Sequence, residues 1–140
     1  MNEGAAGSSA DGVSISVPAT ADHVAVLRAA AGVIASRLDF SLDDIDDLRI
    51  LIDEAASVLL TSGASGRLDC GIVAADDSVQ FTLRAMLPNG QQPHGEGFAW
   101  NILQALAHDL TTRVEDGAHL VTVTRRRGPV LEPARVNHTS

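Results

Sequence analysis

Lysine and tyrosine are absent from this chain of 140 residues, and cysteine and tryptophan occur once each. The absence of lysine excludes a P-loop nucleotide site, because that loop uses a lysine to bind phosphate. The single cysteine, Cys70, excludes an intramolecular disulfide. Aromatic residues make up only 3% of the chain, which leaves few ring faces on which nucleic-acid bases or sugars could stack.

Long hydrophobic runs are also missing, although 45% of the residues are hydrophobic and the mean hydropathy is +0.11. No stretch reaches the roughly 20 apolar residues that a membrane-spanning helix needs. No positively charged segment followed by an apolar stretch indicates a secretory signal. These absences predict a globular cytoplasmic protein without membrane contact.

The charge balance is strongly acidic, because ten arginines face 18 aspartates and glutamates, giving a formal net charge of -8. A protein that binds the nucleic-acid backbone needs a basic face, so we expect no direct nucleic-acid contact. The length predicts one domain with its own core. We expect a disordered leader at residues 1–11, a folded domain at 12–127 and a flexible tail at 128–140.

The most informative stretch is residues 42–60, where apolar residues recur at the spacing of one helical face. Ser41 and Asp44 resemble a capping box at its start, and further aspartates follow where the helix dipole favours negative charge. Asp53 and Glu54 interrupt the apolar half of this helix. Because unpaired carboxylates are costly to bury, at least one of the two is predicted to line a cleft or rim.

The other patterns predict two more helices and about five strands. Helical spacing covers residues 20–38 and a third segment whose apolar set runs from Phe98 to Leu110. Alternation predicts strands at 13–17, 68–74, 79–85, 112–115 and 120–125. This order predicts an α+β fold, a two-layer α/β sandwich with three helices on one face of a mainly antiparallel sheet. The cleft is expected between the central helix, the loop 87–96 and the start of the third helix.

This order, with DDLRILIDEAASVLL on the second helix and GEGFAWNILQALAHDL on the third, resembles the RsbW-type anti-sigma factors. These are serine-protein kinases of the histidine-kinase-like ATPase (GHKL) fold. The resemblance spans about residues 13–126 and is greatest to actinobacterial members with degenerate nucleotide motifs. It implies a homodimer that holds an alternative sigma factor inactive. It also implies that the protein can bind an anti-anti-sigma protein of the STAS fold. Members of the family often phosphorylate that partner on serine.

The resemblance assigns roles on the second helix. Glu54 matches the family's glutamate general base. Val58 stands four residues later, where the family has an asparagine that holds magnesium. A valine side chain has no oxygen with which to ligate a hard cation. The alternative interpretation of Glu54 is a surface acid paired with Arg49 or another arginine.

Three glycines match the nucleotide motifs in part. Gly90 fits the adenine-reading loop, but Pro88 occupies the position of the aspartate in that loop. Gly95 and Gly97 resemble the motif that opens the third helix and binds phosphate through backbone N–H groups. The alternative is a flexible loop that ends at a helix start. The implied cofactor is ATP with magnesium, or none if these departures remove the site.

Two other groups of residues invite functional interpretations that we do not favour. The spacings of His94, His108 and His119 match no zinc-ligand pattern, so no metal is expected beyond the magnesium of a nucleotide. The run Arg125-Arg126-Arg127 is interpreted as a solvated strand end, because the rest of the chain is so acidic, and contact with an acidic protein surface is the alternative.

Three hypotheses follow for function. The first is an anti-sigma factor that binds and inhibits an alternative RNA polymerase sigma factor and is countered by an anti-anti-sigma (STAS) protein. The second is an active ATP-dependent serine-protein kinase that phosphorylates the anti-anti-sigma factor, with Glu54 activating the serine. The third is a degenerate GHKL module used for dimerisation or sensing. Val58 and Pro88 favour binding over chemistry, so the first hypothesis is preferred.

Overall fold

The computed structural model describes residues 12–88 and 97–129. These residues form, in chain order, strand β1 (Gly12–Pro18), a short 3-10 turn (Ala21–His23), helices α1 (Val24–Ser36) and α2 (Leu42–Thr61), strands β2 (Ser65–Ala74) and β3 (Ser78–Met86), helix α3 (Phe98–Leu106), and strands β4 (Asp109–Glu115) and β5 (Ala118–Arg126). The predicted order of elements and the α+β class are confirmed. The predicted leader and most of the predicted tail lie outside the described residues.

The strands form one sheet in the order β1-β2-β3-β5-β4, with every neighbouring pair antiparallel. The turn between β2 and β3 is closed by the Ala75 backbone N–H, which donates to the Ser78 carbonyl at 2.9 Å. Between β4 and β5, Asp116 and Gly117 both have positive φ angles, of 52° and 82°, as a two-residue hairpin turn requires. Both predicted hairpins are confirmed.

The core lies between the helices and one face of the sheet. Alternate residues of β2 and β3 point into it and meet the apolar stripe of α2, forming one cluster of buried side chains. Helix α2 lies between α1 and α3 and packs against both. Polar side chains on α2 are therefore held at the boundaries between helices. Among the described residues, no helix combines the length and apolar character needed to cross a bilayer.

The third helix is shorter than its apolar spacing predicts. It ends at Leu106, and Leu110 lies in β4, which begins at Asp109. The reason is the neighbouring strand: the His108 backbone N–H donates to the Thr124 carbonyl at 2.9 Å, and the chain then continues along β5. Leu110 still packs against the core, but from a strand. Strand pairing therefore outweighs local helical periodicity here.

Candidate functional site

The N-terminal end of α2 is capped as predicted. Ser41 has extended backbone, and its hydroxyl accepts a hydrogen bond from the Asp44 backbone N–H at 3.0 Å. The Asp44 carboxylate accepts from the Gly128 backbone N–H at 3.0 Å and from Arg125 at 3.2 Å. Burial by itself raises the pKa of Asp44, but these hydrogen bonds outweigh it and the pKa is lowered. This aspartate therefore stays ionised and acts as a structural anchor.

Arg125 is the centre of this anchor. Its guanidinium donates to the Leu106 carbonyl at 2.6 Å, to Asp44 at 3.2 Å and to Asp47 at 3.0 Å, and only 15% of its side chain is exposed. One residue on β5 thus joins the C-terminal end of α3 to the N-terminal end of α2. Its Nε is buried without a partner among the described residues.

The prediction that residues 125–127 form a solvated strand end is wrong for two of the three. Arg125 is buried in the anchor, and Arg127 donates to the carbonyls of Leu38 and Asp76 at 3.0 and 3.3 Å. Only Arg126 has an exposed position. The acidic groups that accept from Arg125 come from α2, far away in sequence, so a local pattern could not reveal them.

The second half of α2 carries the predicted pair of acids at the edge of a groove. Asp53 accepts from Arg28 on α1 at 2.6 Å, and both side chains are about two-fifths exposed, at 40% and 38%. The ion pair joins α1 to α2 across the groove. Because both groups remain in contact with water, the pair contributes little to stability. It is accessible to a partner.

Glu54 lies beside this pair and is half-buried. None of the described side chains forms an ion pair with it; Arg49, the alternative partner, lies 3.8 Å from Asp46 instead. Burial, and secondly the negative charge of Asp53, raises the pKa of Glu54. A carboxyl group that resists ionisation and faces a groove is suited to accept a proton or to meet a positive charge.

The groove has a volume of about 410 Å³ and runs between the start of α1 and the second half of α2. Its walls are apolar at Ala21, Val24, Ala56 and Leu60, and its polar groups come from Arg28, Asp53, Glu54, Ser57 and Thr61. Sequence reasoning did not identify Ser57 or Thr61 as site residues, and it interpreted Arg28 as an ordinary surface arginine that could form an ion pair across an interface. Ser57 and Thr61 follow Glu54 at helical spacings of three and seven residues, a signal that could have found them. Arg28 is 25 residues from Asp53 and carries no such signal.

Val58 lies one turn beyond Glu54 but points into the core. Its side chain is 3% exposed and belongs to the cluster against which Ala99 and Trp100 of α3 pack. A magnesium ion needs oxygen ligands, and this position offers only methyl groups in dry packing. The residues present therefore do not fit a magnesium–nucleotide complex held in the way the resemblance implies.

Two of the three predicted glycines, Gly90 and Gly95, lie outside the described residues. Gly97 is the N-cap of α3, exposed, with a positive φ of 100°, and its carbonyl accepts from the Asn101 backbone N–H at 3.0 Å. Pro88 packs against the end of α2: a Cβ added to Gly63 would lie 3.1 Å from its ring. The proline at the expected aspartate position thus has a packing role.

The chain is similar in sequence to two groups of curated proteins. It is 38% identical over 88 residues to a protein of Bacillus cereus (strain B4264) named Serine-protein kinase RsbW, covering 53% of this chain and 54% of that protein. It is 29% identical over 101 residues to the Anti-sigma-F factor RsbW of Mycobacterium tuberculosis (strain ATCC 25618 / H37Rv), covering 71% of this chain and 60% of that protein. The matched regions thus span little more than half the length of these relatives. No protein-family model matches the chain.

The fold has a solved counterpart in the RsbU and RsbW domains of Rv1364c from Mycobacterium tuberculosis. The superposition has a TM-score of 0.64 at 18% sequence identity, and covers 85% of this chain and 33% of that one. At this identity the likeness shows the fold alone. Sequence and fold nevertheless point to the same group, and the predicted resemblance to the RsbW-type family is confirmed.

Proposed function

We propose that this protein is a cytoplasmic anti-sigma factor that binds and inhibits an alternative sigma factor as a homodimer and is released by an anti-anti-sigma protein. The observation that supports it most is the similarity over 101 residues to a protein named as an anti-sigma factor. That similarity extends over 71% of this chain. An acidic chain with a net charge of -8 is also suited to a protein partner with basic side chains.

We further propose that capture occurs by binding alone, without phosphate transfer. The packing of Val58 in the core supports this, because it removes the oxygen that a magnesium–nucleotide complex would need. The groove offers a different way to recognise a partner. Its apolar walls can accept side chains, and Glu54 can receive a cation from the partner, which would relieve its unfavourable burial.

The kinase is the second candidate, because the relative that is 38% identical is named as a serine-protein kinase. Glu54 would then be the general base for the serine hydroxyl of the partner, and its raised pKa suits proton uptake. The resemblance assigns nucleotide binding to the glycines at 90, 95 and 97, of which Gly97 lies among the described residues. This candidate requires magnesium to be held by groups other than residue 58.

The test is capture of purified alternative sigma factors from the source genome, measured by biolayer interferometry and by run-off transcription with and without ATP. We expect one sigma factor to bind more tightly than about 1 µM, roughly 8 kcal/mol, and equally well without nucleotide. We expect Glu54→Ala to weaken capture and to change no phosphorylation signal on the anti-anti-sigma protein. If labelled phosphate from ATP reaches that protein and Glu54→Ala abolishes the transfer while capture persists, the kinase replaces the binding-only function.

A further inference from the structure

The groove between α1 and α2 carries an excess of negative charge. Among the described residues that line it, Arg28, Asp53 and Glu54 are charged. Arg28 donates to the Asp53 carboxylate at 2.6 Å, so these two charges balance each other within the protein. The Glu54 carboxylate is the surplus charge, and no described side chain forms an ion pair with it. A positive group that balances it would have to be brought by a partner.

The surroundings of Glu54 make such a positive group favourable. Its side chain is half-buried, and burial together with the neighbouring charge of Asp53 raises the pKa of the Glu54 carboxyl. A cation placed against this carboxylate would oppose both effects, because an opposite charge within a few ångströms stabilises the ionised form. Contact with a cation is therefore the change in surroundings from which Glu54 gains most.

The walls of the groove favour a cation on a long apolar stem. Val24 and Leu60 line the groove together with Ala21 and Ala56, and none of these side chains carries a polar group. Lysine and arginine bury their methylene stems along such surfaces while the charged head stays with polar groups. A free metal ion would gain nothing from these walls, because its ligands are oxygen, nitrogen or sulfur atoms.

The hydroxyl groups beside Glu54 distinguish arginine from lysine. The Thr61 hydroxyl donates to the Ser57 carbonyl at 2.8 Å, so its proton is already used and its oxygen is left as an acceptor. Ser57 adds a second hydroxyl on the same face of α2. A guanidinium can bind a carboxylate with two parallel N–H groups and still direct others to neighbouring acceptors. An ammonium is a point charge without this planar fork, so the groove favours arginine.

An acidic side chain of a partner is the opposite possibility, since it would be attracted to Arg28. The guanidinium of Arg28 is already held by Asp53 at 2.6 Å, however, and Glu54 follows Asp53 directly in the chain. An incoming carboxylate would therefore meet two negative charges for one positive charge. Like charges at such short range repel. Charge complementarity favours a cationic side chain over an anionic one.

We propose that this groove binds an arginine side chain of the protein partner, with the guanidinium on the Glu54 carboxylate and the methylene stem against Val24 and Leu60. This arginine site rests on the proposed function, because it names the chemistry by which the captured partner is recognised at the same groove. The arginine would bring the charge of the groove to zero and leave the pair between Arg28 and Asp53 intact.

A small probe tests the site on the full chain without any protein partner. N-acetyl-arginine amide, N-acetyl-lysine amide and N-acetyl-glutamate are titrated separately into isotope-labelled protein, and backbone amide signals are followed by NMR. We expect the arginine probe to shift the amides of Val24, Glu54 and Ser57 saturably and to bind at least about fivefold more tightly than the lysine probe. Glu54→Gln should weaken it at least about tenfold, and an unchanged spread of amide signals would show that this variant folds. Asp46→Asn, at an exposed acid of the same helix, is the matched control and should bind like the wild type.

Three results of this titration would overturn the arginine site. They are the absence of saturable shifts at the groove, equal binding of the lysine probe, and equal binding of the arginine probe to Glu54→Gln. Tighter binding of the glutamate probe would instead identify Arg28 as the group that a partner contacts.

The captured sigma factor tests the same contact in the complex. Each exposed arginine of that sigma factor is changed to glutamine, and its affinity for the wild type and for Glu54→Gln is measured by biolayer interferometry. We expect one arginine variant to bind the wild type at least about tenfold more weakly, and to lose less than about twofold against Glu54→Gln. Capture of a sigma factor with no such coupled arginine would refute the arginine site and leave the proposed function standing. Failure to capture any sigma factor would refute the proposed function, while the probe titration would still decide whether the groove binds arginine.

Discussion

Both ends of α2 carry acidic side chains, but the surroundings of these carboxylates differ between the two ends. At the N-terminal end, Asp44 and Asp47 are engaged by Arg125, and Asp44 is 13% exposed. At the C-terminal half, Asp53 and Glu54 face a groove, and Glu54 has no ion-pair partner among the described residues. Carboxylates whose hydrogen bonds are all supplied by the fold have little capacity left for a ligand. The comparison therefore supports the groove as the proposed site of partner binding, and the anchor as a source of stability.

The largest effect is expected from removing the centre of the anchor. Arg125→Ala leaves the Asp44 carboxylate buried beside Asp47 and frees the Leu106 carbonyl, so we expect a loss of about 3 kcal/mol or more in the free energy of unfolding. Urea unfolding measures it. Arg126→Ala is the control, and its exposed side chain should change stability by less than about 0.5 kcal/mol. Equal losses at the two positions would contradict the structural role of Arg125.

A smaller effect is expected at Val58, between the two ends. Val58→Asn buries an amide among apolar groups and should cost about 2 kcal/mol in urea unfolding. Sigma-factor capture by the folded fraction should be unchanged, because the side chain does not reach the groove. The matched control is Ser57→Asn, in the half-buried groove position next to it, which should cost less than about 0.5 kcal/mol. Binding of magnesium–ATP gained by Val58→Asn, measured by calorimetry, would instead revive the nucleotide site.

Acidification should change the contributions of the two ends of α2 to folding stability in opposite directions. The pKa of Asp44 is lowered by folding, so its stabilising contribution is complete above its unfolded pKa of about 3.9 and is lost as pH falls through the lower folded value. The pKa of Glu54 is raised, so its ionised form opposes folding above the raised value, and this penalty disappears below its unfolded pKa of about 4.3.

Conservative variants separate the two contributions in urea unfolding between about pH 3 and pH 7. Asp44→Asn should lose stability at neutral pH and should lose less than the wild type on further acidification. Glu54→Gln should gain slightly at neutral pH, and the gain should vanish near pH 4. If both variants shift the profile in the same direction, the contrast between the two ends is wrong.

The sequence predicted α2 almost to its boundaries, because a cap, an apolar face and a terminal glycine all agree locally. It also predicted that Asp53 or Glu54 would line a cleft or rim, since a charge in an apolar stretch must reach solvent. The predicted location of the cleft, beside the loop 87–96 and the third helix, does not match the groove that holds these acids, which lies between α1 and α2. It could not predict Arg125 or Arg28 as partners of those acids. Each pairing depends on which elements the fold brings together, 81 residues apart for Arg125 and Asp44. The same limitation explains Leu110, whose helical spacing was overridden by the neighbouring strand.

The smallest effect on stability is expected at the groove, where function should show instead. Arg28→Ala removes one exposed ion pair and should cost about 0.5 kcal/mol or less. It also leaves Asp53 unpaired beside Glu54 and makes the groove more negative. The affinity for a partner with basic side chains should therefore change several-fold, while the free energy of unfolding changes very little. Arg49→Ala removes an exposed arginine from the same helical layer and is the control for capture. If both variants bind the partner with the same affinity, the partner contacts another surface. The half-buried carboxylate of Glu54 then has no binding role and only lowers the stability of the fold.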